Sequence, residues 1–195
     1  MTEEKIYADD YSCSFGDPES FIDFLADRKE SSRWMTAPSK KLHFEAIEKG
    51  TPAANQIMQI HMNDGKAEII ADTMANTAVL LSVNGEQIPV RSCAVKTILE
   101  RARISGYALS KVETTVFAQI LNYCMNVASG DSLIKVADEK VSAVHGGDEK
   151  DYRVLDMQVM FRKVKDYLDE RFPGNHFVTG HFDHAFAIGI WRLDG

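Results

Sequence analysis

Cysteine is scarce in this chain. Cys13, Cys93 and Cys124 make an odd number, and no two have C-x-x-C spacing. That argues against a disulfide framework and against a cysteine-based zinc site. No apolar run approaches the ~20 residues that a membrane helix requires. Glycine and proline, at 12 and 5 residues, are too few for a collagenous or low-complexity chain. The first ten residues are acidic, unlike a secretory signal or a transit peptide. The phosphate loop G-x-x-x-x-G-K-[ST], the dinucleotide fingerprint G-x-G-x-x-G and the hydrolase elbow G-x-S-x-G are all absent. The sequence therefore names no reaction and no cofactor, and the expectation is a non-enzymatic protein of a reducing cytoplasm.

What is present is globular. The chain has 195 residues, 45% apolar and 26% charged, enough for one sizeable core. Its net charge of -7 is concentrated at one end. Residues 1–30 carry nine acids against three bases, a net -6, and the other 165 residues sum to -1. Residues 91–111 are locally basic, with Arg91, Lys96, Arg101, Arg103 and Lys111 against Glu100. The division expected from this is an acidic arm over 1–40, with a short helix and a linker, and a single α+β domain over 41–195.

Local signals set the expected elements. Residues 1–16 show no apolar period and read as irregular. Asp17-Pro18 is a cap followed by a first-turn proline, opening a helix over 18–29. Residues 31–41 read as a linker, 41–47 as a strand, and Thr51-Pro52 opens a helix to about 62. Residues 66–75 fit strand or helix. Asn84-Gly85 joins two β-rich runs, the pattern of a two-residue hairpin turn. A helix over 92–104 follows. Another spans 111–128, with Ser110 and Glu113 as a capping box and Val112, Val116, Ile120, Tyr123 and Val127 facing inward. Residues 133–137 and 141–145 read as strands. A helix over 156–170 turns Met157, Met160, Val164, Tyr167 and Leu168 inward, and a second hairpin covers 176–193. Hairpins mixed with helix pairs point to an α+β fold of antiparallel hairpins packed with a helical hairpin and one further long helix.

Three patterns carry candidate chemistry. His181, Asp183 and His184 are proper metal ligands, yet 181 and 183 share a strand face while 184 points away. A hairpin turn with surface histidines is the better reading, and no metal is expected. His145-Gly146-Gly147-Asp148 offers loop amides to a phosphate, but with no helix start behind it a simple turn is favoured. The basic stretch with Arg91, Lys96, Arg101, Arg103, Tyr107 and Lys111 suits phosphate contacts and base stacking on single strands. Its helix–turn–helix outline would put a recognition helix near Ser110, away from most of the charge.

From about Leu80 to Arg192 the chain also resembles a known family. Ser105–Lys111, Val141–His145 and Asp151–Leu155, with HFVTGHFD at 176–183, are similar to passages of the phage/plasmid-like proteins of domain-of-unknown-function family 932. The resemblance implies a phage, plasmid or integrative-element origin in a bacterial host and a role around mobile DNA. It carries no catalytic residue, and since members of that family are usually longer, it implies a short member or a domain incomplete in its C-terminal part. Two functions are therefore expected as alternatives. One is a nucleic-acid-associated protein that binds or anneals single strands in recombination or transfer. The other is an inhibitor of a host defence nuclease of CRISPR or restriction type, contacting its partner through Asp9, Asp10, Asp17, Glu19, Asp23 and Asp27.

Overall fold

A computed structural model describes residues 5–63, 65–105, 107–147 and 154–193. The fold is α+β, built from three small antiparallel sheets and six helices among the described residues. It divides into two units: residues 1–9 with 34–152, and residues 10–33 with 153–195. The fold thus divides elsewhere than the charge distribution suggests. The first nine residues belong with the larger unit, and residues 10–33 join the C-terminal part.

The larger unit holds two sheets. In the first, β3 (His43–Ala46) pairs with β4 (Val79–Val83), and β4 pairs with β5 (Glu86–Pro89). Asn84 and Gly85 turn the β4–β5 hairpin with φ of 52° and 83°, the left-handed pair this tight turn demands. In the second sheet β6 (Asp131–Ala137) lies between β2 (Ser32–Pro38) and β7 (Lys140–Gly146). The expected linker over 31–41 is therefore largely a strand. A parallel bridge of Val90 to Val141 joins the two sheets. Helices α2 (Pro52–Asn63), α3 (Ala67–Asn76), α4 (Ser92–Arg101) and α5 (Thr114–Val127) complete the unit. Thr51 Oγ1 accepts from the amide of Ala54 at 3.2 Å, the expected cap of α2.

Helix α5 corrects the expected stripe. Ala118, Leu121 and Met125 are its buried residues, while Val116, Tyr123 and Val127 are exposed. The helix has no charged residue, so its apolar pattern offers two competing faces. Asn122 supports the face that is buried. Its side chain donates to the Phe44 carbonyl at 2.8 Å and accepts from the Phe44 amide at 2.7 Å, as a neighbouring strand would. The expected capping box is also replaced: Glu113 is the N-cap, with no side-chain hydrogen bond, after a 3-10 turn over Tyr107–Lys111. That turn separates α4 from α5 too widely for the helix–turn–helix outline.

The smaller unit packs α1 (Pro18–Glu30) and α6 (Met157–Arg171) on a sheet of β1 (Ser12–Phe15), β8 (His176–Asp183) and β9 (Ala187–Arg192). The irregular segment expected at 1–16 thus contains a strand. Asp17 caps α1 by accepting from the Ser20 amide at 2.8 Å, and Asp156 caps α6 by accepting from Val159 at 3.1 Å. The core is aromatic: Phe21, Ile22, Leu25 and Phe161 are buried, with Phe15, Phe24, Phe177 and Trp191 against them. Val164 and Tyr167, expected inward, are exposed. Gly180 lies under the Phe21 ring, where an added Cβ would sit 2.6 Å from Cγ.

The larger unit buries a charged cluster. Lys140 is 0% exposed, and its ammonium donates to Asp9 Oδ1 at 2.7 Å and to Asp72 Oδ2. The Asp9 amide donates to the same Asp72 oxygen at 3.3 Å. The second Asp9 oxygen accepts from the Ser92 amide at 2.7 Å. Asp9 thus caps α4 from a distance, where the N-cap Arg91 has no side chain able to accept. Burial would raise the Asp9 pKa, but hydrogen bonds from Lys140 and Ser92 outweigh it and hold the carboxyl below its ordinary value of 3.8. Its contribution to stability is complete above that value and is lost as pH falls through the lowered folded pKa.

Two outcomes are expected in denaturation experiments. Asp9→Asn loses about 3 kcal/mol near neutral pH, because a buried ammonium is left with one partner fewer, and the variant's stability falls less steeply than the parent's in acid. Gly180→Ala loses about 2 kcal/mol through overpacking against Phe21.

Candidate nucleic-acid interface

The six expected nucleic-acid contacts have different fates. Arg91 is 0% exposed; its guanidinium donates to the carbonyls of Ala8 at 3.2 Å and Ala137 at 3.3 Å. It belongs to the charged core and is unavailable to a ligand, which corrects its place in the basic patch. Lys96 is exposed on α4, and Lys111 is exposed at the end of the 3-10 turn. The side chain of Tyr107 lies outside the described residues.

Arg101 and Arg103 come together at the C-terminal end of α4. Arg101 is held firmly. Its Nε donates to Ser132 Oγ at 2.9 Å, and its Nη2 donates to Ser39 Oγ and to the Ser129 carbonyl at 2.7 Å. Ser39 and Ser132 are themselves 0% exposed and share a 2.8 Å hydrogen bond. None of these acceptors is a carboxylate. Burial, and then the charge of Arg103, push the Arg101 pKa below its ordinary value; a guanidinium nonetheless stays protonated. Two like charges are therefore close together, and among the described residues neither forms an ion pair.

Arg103 sits in a costly backbone conformation. Its amide donates to the Glu100 carbonyl at 3.1 Å, and the Ile104 amide donates to the Leu99 carbonyl at 2.9 Å. That pair of bonds is the Schellman ending of a helix, whose left-handed position usually takes glycine. Arg103 occupies it with φ of 55°. A non-glycine residue there costs roughly 1 kcal/mol.

The same place receives the glycine loop that follows β7. Arg101, Arg103, Ser129, Gly130, Asp131, Gly146 and Gly147 line a cleft of about 320 Å³. A second, of about 210 Å³, shares Arg101, Arg103 and Gly146 and adds Thr97, Glu100, Val144 and His145. A Cβ on Gly146 would lie 3.5 Å from Arg101 Cδ, so the loop runs along the arginine stem. The loop amides serve the fold here: Gly147, at φ of 101°, donates to the Asp131 carbonyl at 2.9 Å. Asp148 lies outside the described residues. Two features far apart in sequence, the arginines and the His145–Gly147 turn, therefore form one concave site.

Sequence reasoning missed an aromatic neighbour. Trp34 on β2 lies against the His145 ring, with centroids 6.4 Å apart and planes inclined by 27°. The Lys135 ammonium lies 5.9 Å from the Trp34 centroid. Trp34 escaped notice because it falls in the segment read as a linker; a β-branched and aromatic-bearing run (Arg33-Trp34-Met35-Thr36) was the available signal.

The acidic and histidine candidates are largely engaged within their own units. Asp9 is in the charged core. Asp17 caps α1, Glu19 pairs with Arg162 and with Lys165 at 3.4 Å, and Asp23 lies 3.6 Å from Arg162. Asp10 and Asp27 are exposed. His181 Nδ1 is 3.1 Å from Ser14 Oγ, and Asp183 accepts from the amides of Ala185 and Phe186 at 2.7 and 2.9 Å, which closes the β8–β9 turn. The His184 ring packs beside Phe182 with centroids 6.0 Å apart. Among the described residues no group of three or more His, Cys, Asp or Glu gathers in metal-binding range. Nor does any helix among them have the length and apolarity to cross a membrane.

No protein-family model, curated protein or solved structure matches the chain.

The site makes a separable prediction for stability. Arg103→Gly raises the midpoint of thermal unfolding, by relief of about 1 kcal/mol of backbone strain. Arg101→Ala lowers it, because charge-assisted hydrogen bonds worth about 1.5–3 kcal/mol are lost. Calorimetry on the two variants and the parent checks both signs.

Proposed function

We propose that this is a non-enzymatic protein that binds nucleic acid through its phosphates at the Arg101–Arg103 cleft, acting on single strands in the recombination or transfer of a mobile element. The observation that carries the reading is the pair of adjacent guanidiniums, without a carboxylate partner, held on a strained helix end. The buried Lys140 ammonium is matched by two carboxylates; these two guanidiniums are not. Strain kept at an exposed, charged position is characteristic of a functional site. A phosphate supplies the missing negative charge and accepts from the guanidinium fork.

Trp34 supports single strands over duplex. An aromatic plane close to a phosphate site lets an unpaired base stack, which costs unstacking in a duplex. The resemblance to phage/plasmid-like proteins supports the mobile-element setting. The alternative, an acidic arm that occupies a host nuclease, draws no support from the geometry, since Asp9, Asp17, Glu19 and Asp23 are engaged within the chain.

Fluorescence anisotropy with a labelled single-stranded oligonucleotide tests the reading. Two phosphate contacts on a single strand predict a loss of affinity of roughly sevenfold between about 50 and about 200 mM salt. Arg103→Gly, although more stable, binds at least about tenfold more weakly, the loss of one charge-assisted contact. Binding unaffected by Arg103→Gly, or a salt dependence under about twofold, contradicts the proposal.

A further inference from the structure

Arg101 and Arg103 are not equally free to meet a ligand. The fold uses the Nε and Nη2 hydrogens of Arg101, on Ser132 Oγ at 2.9 Å, on Ser39 Oγ and on the Ser129 carbonyl at 2.7 Å. Its Nη1 has no acceptor among the described residues. Arg103 is exposed, and its guanidinium donates to none of those residues, so its whole fork is free. Both arginines line the same two clefts. Glu100 and Asp131 also line them, one in each, and neither carboxylate pairs with an arginine there. Gly130, Gly146 and Gly147 give the larger cleft a wall without side chains at those positions, which leaves room beside the arginine stems.

The free donors favour one kind of phosphate. A guanidinium fork holds two oxygens at once, and Arg101 Nη1 can hold a third. An internal phosphodiester has only two unesterified oxygens and a single charge. A phosphate monoester at a strand end has three, with about 1.5–2 negative charges near neutral pH. One such group matches both guanidiniums in charge and in acceptors. The surroundings do not suit a protein that follows a strand, which needs a continuous groove of cations. Arg91 is buried, and the chain carries a net charge of -7. Lys40, Lys41 and Lys96 are exposed but line neither cleft.

We infer that the Arg101–Arg103 cleft takes the terminal phosphate monoester of a nucleic-acid strand in preference to the internal diesters of its backbone. The inference rests on the nucleic-acid reading of this cleft and names the ligand group. The Arg103 fork holds two of the phosphate oxygens, and Arg101 Nη1 holds the third. Trp34 packs on His145, which lines the smaller cleft, and so offers a plane to the base next to the bound end.

Fluorescence anisotropy on the full chain tests it, with oligothymidines of one length labelled at an internal base. One carries a 5′-phosphate, one a 3′-phosphate and one hydroxyls at both ends. At least one phosphorylated strand is expected to bind about tenfold more tightly than the hydroxyl strand, the gain of a charge-assisted contact. The end that gains assigns the polarity. Arg103→Gly is expected to reduce that preference to under about threefold. Equal binding of the parent to all three strands overturns the inference; if Arg103→Gly still weakens each of them, the cleft remains a site for internal phosphates. A preference that persists undiminished in Arg103→Gly also overturns it and places end recognition elsewhere. No binding of any strand up to about 100 µM overturns the inference together with the reading it rests on.

Discussion

The buried ammonium of Lys140 constrains the larger unit more than any other single group. It lies at the first position of β7, without solvent, and an isolated charge there would be prohibitively costly. Two carboxylates answer it, from segments distant in sequence. Asp72 comes from α3, and Asp9 comes from the N-terminal strand of chain that precedes every regular element. Satisfying Lys140 therefore draws residues 5–9 onto the unit. Asp9 then also caps α4, and Arg91 ties the Ala8 carbonyl to the turn after β6. Such a network adds little net stability over an apolar core of the same shape. It selects one arrangement, because each misplaced partner leaves a charge unpaired.

That arrangement leads directly to the candidate site. Helix α4 is ten residues, about 15 Å, from its capped beginning to its end at Arg101. Fixing its N-terminus against Asp9 and its body against β7 fixes where Arg101 and Arg103 emerge. Lys140 is matched by two carboxylates, whereas Arg101 donates only to hydroxyls and carbonyls and Arg103 takes a left-handed backbone. Glycine is the usual residue at the left-handed position that Arg103 occupies.

Much of the fold was legible because it is encoded locally. Asp17, Thr51 and Asp156 each begin a helix with the side chain that caps it, and Asn84-Gly85 turns the hairpin that its backbone freedom suits. The elements that escaped are defined by distant partners. Strand β1 pairs with β8, with Ser14 opposite His181, and no periodicity within residues 1–16 reports that. Strand β2 carries Pro38 at its end and lies at the side of its sheet, where proline is tolerated. The rotation of α5 escaped because both of its faces are apolar, and the deciding bond from Asn122 reaches a strand 78 residues away. The site was half legible. Composition found a basic stretch that includes Arg101 and Arg103, but it grouped them with Arg91, whose burial only the pairing of sheets and the docking of residues 5–9 could reveal.

The central claim is that Arg101 and Arg103, with the Gly146–Gly147 turn, form the surface that meets phosphate. Nitrogen-15 NMR of the arginine side chains and glycine amides during titration with an unlabelled oligothymidine reads this site directly. The account predicts that the Nε–H signals of Arg101 and Arg103 and the amides of Gly146 and Gly147 shift together and saturate together, while the Nε–H of buried Arg91 stays in place. Shifts that leave the two arginines unmoved while resonances elsewhere respond would contradict it.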